Sequence, residues 1–413
     1  MQQSIAIFGY LVLIGLAWLT SSHRSKFPWR IVVWGTMLQF SFAALILKTG
    51  PGKSFFDLLG AMFTKLISFA DKGSNFLFGE APGKPFAFSV LPIIIFFSAL
   101  TSVLYHLGVM QLIVRLIAWV MQRTLGISGA ESLSAAANIF VGQTEAPLVV
   151  KPYLARMTRS ELMAIMVGGF ATIAGSVMGI YVSFNVDAGH LLTASVISAP
   201  AGLLIAKVLQ PETEQPETMG SQHTSLPKTT GNLIEAISNG ASDGLMLMLN
   251  VAAMLVAFTS LIGLADFCLE GASLWIQNRL GAAQPVPVNL AFILGWLFAP
   301  VAWLMGIAPG ECRTAGELLG IKMVATEFVA YQQLGQIINS PQPSLSPRSI
   351  AILTYALCGF SNFASIGIQV GGIGALAPER RRDLTQLAFK AMLGGTIACC
   401  MTGCIAAVLI ADA

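Results

Sequence analysis

The sequence predicts an all-α polytopic membrane protein with eight transmembrane helices, two opposed re-entrant hairpins in an inverted repeat, and interfacial helices. Three observations carry that prediction. The 413 residues are 55% hydrophobic and only 10% charged, with a mean hydropathy of +0.74, whereas soluble domains carry about 25% charged residues. Residues 136–154 set Asn138, Gln143, Thr144 and Glu145 into an otherwise apolar run that Gly142 and Pro147 break. The same order of parts, an acid in an apolar stretch followed by an interrupted apolar segment, returns around Glu327 and residues 359–364.

Residues 5–20 and 31–47 read as the first two spans, joined by a loop that carries Arg24, Lys26 and Arg30. No basic residue precedes Ile5, so the first run reads as a retained span rather than a cleaved signal peptide. The positive-inside rule places the basic loop in the cytoplasm and the N-terminus outside. Residues 51–84 mix Lys53, Asp57, Lys65, Asp71 and Lys72 with apolar residues, the pattern of an amphipathic helix on the outer face. Residues 86–107 cross back, and 109–124, with Arg115 and Arg123, suit an interfacial helix on the inner side.

The polar stretch around Glu145 comes next. An ionisable side chain at membrane depth costs roughly 2.5–3.5 kcal/mol on insertion scales, so it persists where protein or a water-filled cavity surrounds it. Irregular backbone at that depth is tolerated only under the same conditions. A short polar tip between apolar arms therefore predicts a re-entrant hairpin, and Lys151, Arg156 and Arg159 put its base inside.

Residues 161–184 form a span interrupted at Gly-Phe-Ala-Thr, and 191–209 return. Residues 211–230 are polar and proline-rich, the composition of a disordered cytoplasmic loop. A short surface helix over 232–239 and a span over 244–266 follow. Residues 288–307 are apolar but interrupted at Pro300, and 311–335 hold Glu327 in a second hairpin. Residues 349–376 are broken at Gly-Phe-Ser-Asn, and 384–410 end the chain, with the C-terminus outside.

Charge supplies an independent check: if 288–307 cross the membrane, Arg380, Arg381 and Arg382 fall outside. If 288–307 lie on the outer surface instead of crossing, every basic cluster, including Arg380, Arg381 and Arg382, falls inside. The base of the second hairpin then faces outside, opposite to the first, which is the inverted plan of secondary transporters. The chain divides accordingly into N-terminal scaffold helices (1–108), a first transport repeat (109–209), a cytoplasmic loop with a scaffold helix (210–287) and a second transport repeat (288–413).

Other function classes find little support. The net charge is +3, and the basic residues are scattered, which speaks against nucleic-acid binding. The six cysteines, Cys268, Cys312, Cys358, Cys399, Cys400 and Cys404, form no C-x-x-C pair and read as small core residues. H-E-x-x-H and Walker signatures are missing, so the chain reads as a non-enzyme without a cofactor. A channel is the serious rival, but mixed donors and acceptors gathered at one depth suit a multi-group organic ligand better than a ring of repeated carbonyls.

Glu145 and Glu327 are the leading site candidates, since Lys322 is the only base in their apolar surroundings. Asn362 and Ser365 lie three apart and share a helix face; interhelical bonding, worth about 0.6 kcal/mol on average in membranes, is their bland alternative. Thr172 could instead bond back to its own helix. His106 and His190 sit near span ends and read as interfacial.

Together, G-Q-T-E-A-P-L, G-F-A-T-I-A-G-S, G-E-L-L-G-x-K followed by T-E-F-V-A-Y, and C-G-F-S-N-F-A-S-I-G resemble the bacterial concentrative nucleoside transporter family, from about residue 86 to the C-terminus. The resemblance implies a secondary active importer of uridine-like nucleosides in the cytoplasmic (inner) membrane bilayer, a homotrimer whose transport domain moves against a scaffold. It implies Gln143, Thr144 and Glu145 at the nucleobase, Glu327, Asn362 and Ser365 at the ribose, and Val177 and Phe360 as apolar walls. Its sodium site would fall on Asn138 and Thr172 with the backbone carbonyls of Val141 and Ile173. Two points are open: Thr326 stands where many relatives carry Asn, and some members couple to protons instead of sodium.

Overall fold

Apolar sequence this long leaves the backbone to satisfy its own hydrogen bonds, and the chain does so in helices. The computed structural model describes residues 2–79, 88, 91–220, 230–280 and 286–410, and among these there is no strand. Helices α1 (Gln2–Leu19), α2 (Trp29–Lys48) and α3 (Gly50–Phe78) come first. α3 matches the expected amphipathic helix, although residues 80–84 of that reading lie outside the described residues. α4 (Pro92–His106) and α5 (Val109–Leu125) meet at a bend of 77°, so the predicted interfacial segment does leave the line of the helix before it.

The first helix–turn–helix unit is α6 (Gly129–Ala137) with the short α7 (Ala146–Val149) and α8 (Lys151–Leu154). The span after it is broken into α9 (Arg159–Ala171) and α10 (Gly175–Ser183), with extended backbone at Thr172 and Ala174 between them. α11 (Ala188–Leu209) closes this half, and α12 (Leu233–Arg279) and α13 (Leu290–Leu304) connect the halves. The order then repeats. α14 (Cys312–Val324) and α15 (Glu327–Ile338) form the second unit, α16 (Pro347–Leu357) and α17 (Phe363–Leu376) the second broken segment, and α18 (Arg381–Leu409) the last helix.

Among the described residues six helices are long and apolar enough to cross a membrane, or up to seven if the bent pair α4–α5 counts as one span. α13, at 15 residues, is about 22 Å long, short of the roughly 30 Å of a hydrocarbon core, and it packs along α14. The protein's centre is formed by α9, α10 and α11, which are buried almost throughout, while the apolar window of α12 is not buried at all within the chain.

Two expectations are corrected. A surface helix over 232–239 and a separate span over 244–266 are in fact one continuous helix of 47 residues. Gly240 and Gly244 are where α12 presses onto α4, a contact that offsets the roughly 1 kcal/mol helix penalty of a glycine. The polar segment 211–230 is not wholly free either. Its first part is fastened: the Thr218 carbonyl accepts from the Gly129 N–H at 3.1 Å, Thr218 Oγ1 accepts from the Ala130 N–H at 3.1 Å, and Glu217 pairs with Arg156. Residues 221–229 lie outside the described residues.

Candidate substrate and ion site

The two breaks lean on each other. The Phe360 N–H, in the gap between α16 and α17, donates to the Thr172 carbonyl in the gap between α9 and α10, at 3.2 Å. The Gly175 N–H donates to the Phe140 carbonyl of the first polar turn at 2.9 Å. Backbone groups freed by the interruptions thus hold three irregular segments side by side, which brings distant polar residues together.

Glu327 opens α15 directly after its N-cap, Thr326. Its carboxylate accepts from the Tyr181 hydroxyl at 3.1 Å and from Asn362 Nδ2 at 2.8 Å. Asn362 caps α17, its Oδ1 accepting from the Ser365 N–H at 2.9 Å. Ser365 Oγ accepts from Gln143 Nε2 at 3.1 Å, and Gln143 Oε1 accepts from Gln369 Nε2 at 3.0 Å. Gln369 also reaches the Met166 carbonyl at 3.1 Å. One hydrogen-bonded chain therefore runs from Tyr181 through Glu327, Asn362, Ser365 and Gln143 to Gln369, crossing between the halves three times.

The remaining candidates surround this chain. Thr144 packs beside Gly372, Val177 is buried in α10, and Phe360 is half-buried at its break. Glu145 stands apart: its carboxylate accepts from the Gly142 N–H at 2.9 Å and faces a cavity of about 190 Å³ between the first polar turn and helices α4 and α12. Glu145 and the Gln143–Glu327 chain are thus not one cluster. Among the described residues neither Glu145 nor Glu327 has an ion-pair partner. Lys322, the one nearby base, is buried and donates to the Ala356 carbonyl at 3.0 Å.

The four candidate ion ligands lie in the first half. Asn138 is 1% exposed, yet neither atom of its amide group has a hydrogen-bond partner. Leaving a buried polar group unsatisfied costs about 1–3 kcal/mol. The amide lies against Gly168, whose carbonyl accepts from the Thr172 hydroxyl at 2.9 Å, so Asn138 and Thr172 share a neighbour. Val141, one turn beyond Asn138, and Ile173, next to Thr172, are buried too. A donor set of amide, hydroxyl and carbonyl oxygens suits a hard cation.

Tyr181 and Gln369 were not among the sequence candidates. Tyr181 lies four residues after Val177, and Gln369 four after Ser365, each on the same helix face as a candidate; that spacing was the available signal. A buried ion pair between Lys207 and Glu131 also went unread. His106 bonds to Thr230 and His190 to Tyr355, both away from the hydrogen-bonded chain.

Comparison with known proteins agrees along the whole length. The family model described as "Na+ dependent nucleoside transporter C-terminus" matches residues 190–407, its N-terminus counterpart residues 8–81, and a "Gate: Nucleoside recognition" model residues 87–185. An uncharacterised transporter of Haemophilus influenzae is 45% identical over 413 residues, covering 98% of this chain and 97% of that protein. Solute carrier family 28 member 3 of Eptatretus stoutii is 44% identical over 423 residues, 99% of this chain but 61% of that protein, so the chain spans about three fifths of that relative's length. The structure of CNTnw in an inward-facing substrate-bound state superposes with a TM-score of 0.91 at 39% identity, covering 99% of this chain and 98% of that one.

Proposed function

The chain belongs to the Na+-dependent nucleoside transporter family, a family of membrane transporters and not of enzymes, and on that premise we propose that it is a secondary active symporter carrying nucleosides together with sodium by alternating access. The observation that carries the reading is the chain of hydrogen bonds from Glu327 and Asn362 to Gln143, with the unsatisfied amide of Asn138 in the same half as Gln143.

The chemistry follows from the donors and acceptors. A carboxylate accepts from both hydroxyls of a ribose diol, and a carboxamide both gives and receives, so Glu327 and Asn362 with Ser365 form the ribose end. Gln143 offers a base edge one donor and one acceptor, with Thr144 next to it, Glu145 meeting the base from its separate cavity, and Val177 and Phe360 as apolar walls. A nucleoside entering here exchanges the bond between Gln143 and Ser365 for its own, while Tyr181 keeps Glu327 aimed. Sodium, the coupling ion and a cargo, would take oxygens of Asn138, Thr172, Val141 and Ile173. Because Asn138 precedes Gln143 in the same polar turn, ordering one end of the turn orders the other, which is the physical content of coupling.

The wider reading keeps eight spans and two opposed hairpins, a scaffold of 1–108 and 210–287, transport repeats of 109–209 and 288–413, and a homotrimer in the inner membrane with both termini outside. A uridine-like nucleoside is the expected substrate. Uptake of labelled uridine into proteoliposomes tests the function: accumulation above equilibrium under an inward sodium gradient is expected. Accumulation driven by a proton gradient alone would transfer the coupling to protons, and equilibration without accumulation would indicate a channel.

A further inference from the structure

α12 comes unusually close to α4 because Gly240 and Gly244 present no side chain there. A Cβ at Gly240 would stand 2.7 Å from Ser102 Cβ, and one at Gly244 would stand 2.7 Å from Ile95 Cα. Small residues four apart let membrane helices close in this way. Asp243 lies between the two contact glycines in sequence and lines the same 190 Å³ cavity that Glu145 faces, together with Ser98, Ser102 and Tyr105 of α4.

The lining is acceptor-rich. Among the described residues neither carboxylate has an ion-pair partner, and the Tyr105 hydroxyl is buried without a hydrogen-bond partner. A carboxylate on a membrane-crossing helix persists where it faces a polar route or ligand. Two carboxylates facing one cavity are best answered by a ligand group with at least two N–H donors. The exocyclic amino group of cytosine or adenine is such a group, whereas uracil and thymine present a carbonyl oxygen at the corresponding position, which would set acceptor against acceptor.

We infer that Asp243 is a specificity-determining residue, which with Glu145 forms a two-carboxylate subsite for the amino group of a nucleobase. The inference rests on the nucleoside reading above. Its two walls belong to different elements, α12 and the first polar turn, so the subsite is complete only while those elements face each other.

The test is competition against labelled uridine uptake in proteoliposomes of wild type, Asp243→Asn and Asp243→Glu, with cytidine, adenosine and unlabelled uridine as competitors. Asp243→Asn is expected to raise the half-inhibitory concentrations of cytidine and adenosine about tenfold while that of uridine moves less than twofold, and Asp243→Glu is expected to recover most of the loss. An unchanged ranking, or an equal shift for all three, overturns the subsite. If Asp243→Asn transports nothing, calorimetric titration of the purified variant with cytidine and uridine reads the same difference in binding, and equal losses for both again overturn it. A wild type that takes up uridine but whose ranking is indifferent to Asp243 refutes this subsite alone; a wild type that takes up no nucleoside refutes the transport reading and the subsite with it.

Discussion

The Tyr181 hydroxyl donates to Glu327 at 3.1 Å, joining the broken helix of the first half to the acid of the second. The Tyr181 ring stacks on Tyr331 with centroids 4.2 Å apart, and the Tyr331 hydroxyl is held in turn by the Thr354 carbonyl at 2.7 Å. Glu327 is therefore aimed by an aromatic pair anchored in both halves.

Tyr181→Phe keeps the ring and removes only that donor. A hydrogen bond to a charged group is worth about 1.5–3 kcal/mol, so the variant should express and fold normally while KM for uridine uptake rises about tenfold or more. Unchanged KM would mean that Glu327 is held well enough by Asn362 alone.

Glu327→Gln tests the acceptor itself. The variant keeps the shape and can still bond Tyr181 and Asn362, but it loses the charge that strengthens bonds to a ribose diol. Most uridine transport should disappear with protein yield and elution profile unaltered. Wild-type affinity in this variant would remove Glu327 from the ribose end.

The fold was largely legible because apolar length and interruption are read directly from a membrane chain. Glu327, Asn362, Ser365 and Gln143 stood out as polar residues in apolar surroundings, and the structure joins them. Tyr181 and Gln369 did not stand out, since a tyrosine in G-I-Y-V-S and a glutamine beside glycines satisfy a helix core equally well. Asn138 acquired a role only through the family resemblance; that its amide lacks a partner is visible only once the neighbouring backbone is placed. The continuity of α12 across 240–244 was not legible, because glycine weakens an isolated helix, while Gly240 and Gly244, in contact with Ser102 and Ile95, permit a close approach.

Lys207 shows the same limit at the base of the first half. Near the end of an apolar run it reads as a flank, yet it is 2% exposed, because 210–220 fold over it. It pairs with Glu131 and with Glu212, and it donates to Ser160 Oγ at 2.8 Å. Removing one partner of a buried pair costs about 3–5 kcal/mol. Lys207→Met should lower the thermal midpoint in detergent markedly, and adding Glu131→Gln should restore part of it. Two independent, additive losses would show that the pair is not coupled.

The central claim is that sodium and nucleoside occupy adjoining sites and stabilise each other. The most direct measurement is the affinity of purified protein for uridine in sodium and in choline, for wild type and for Asn138→Ala combined with Thr172→Ala. Linkage requires that sodium tighten uridine binding by the factor by which uridine tightens sodium binding. The wild type is expected to bind uridine several-fold more tightly in sodium, and the double variant to bind it in either salt as weakly as the wild type does in choline. Equal wild-type affinity in the two salts, or a full sodium response in the double variant, would contradict the account.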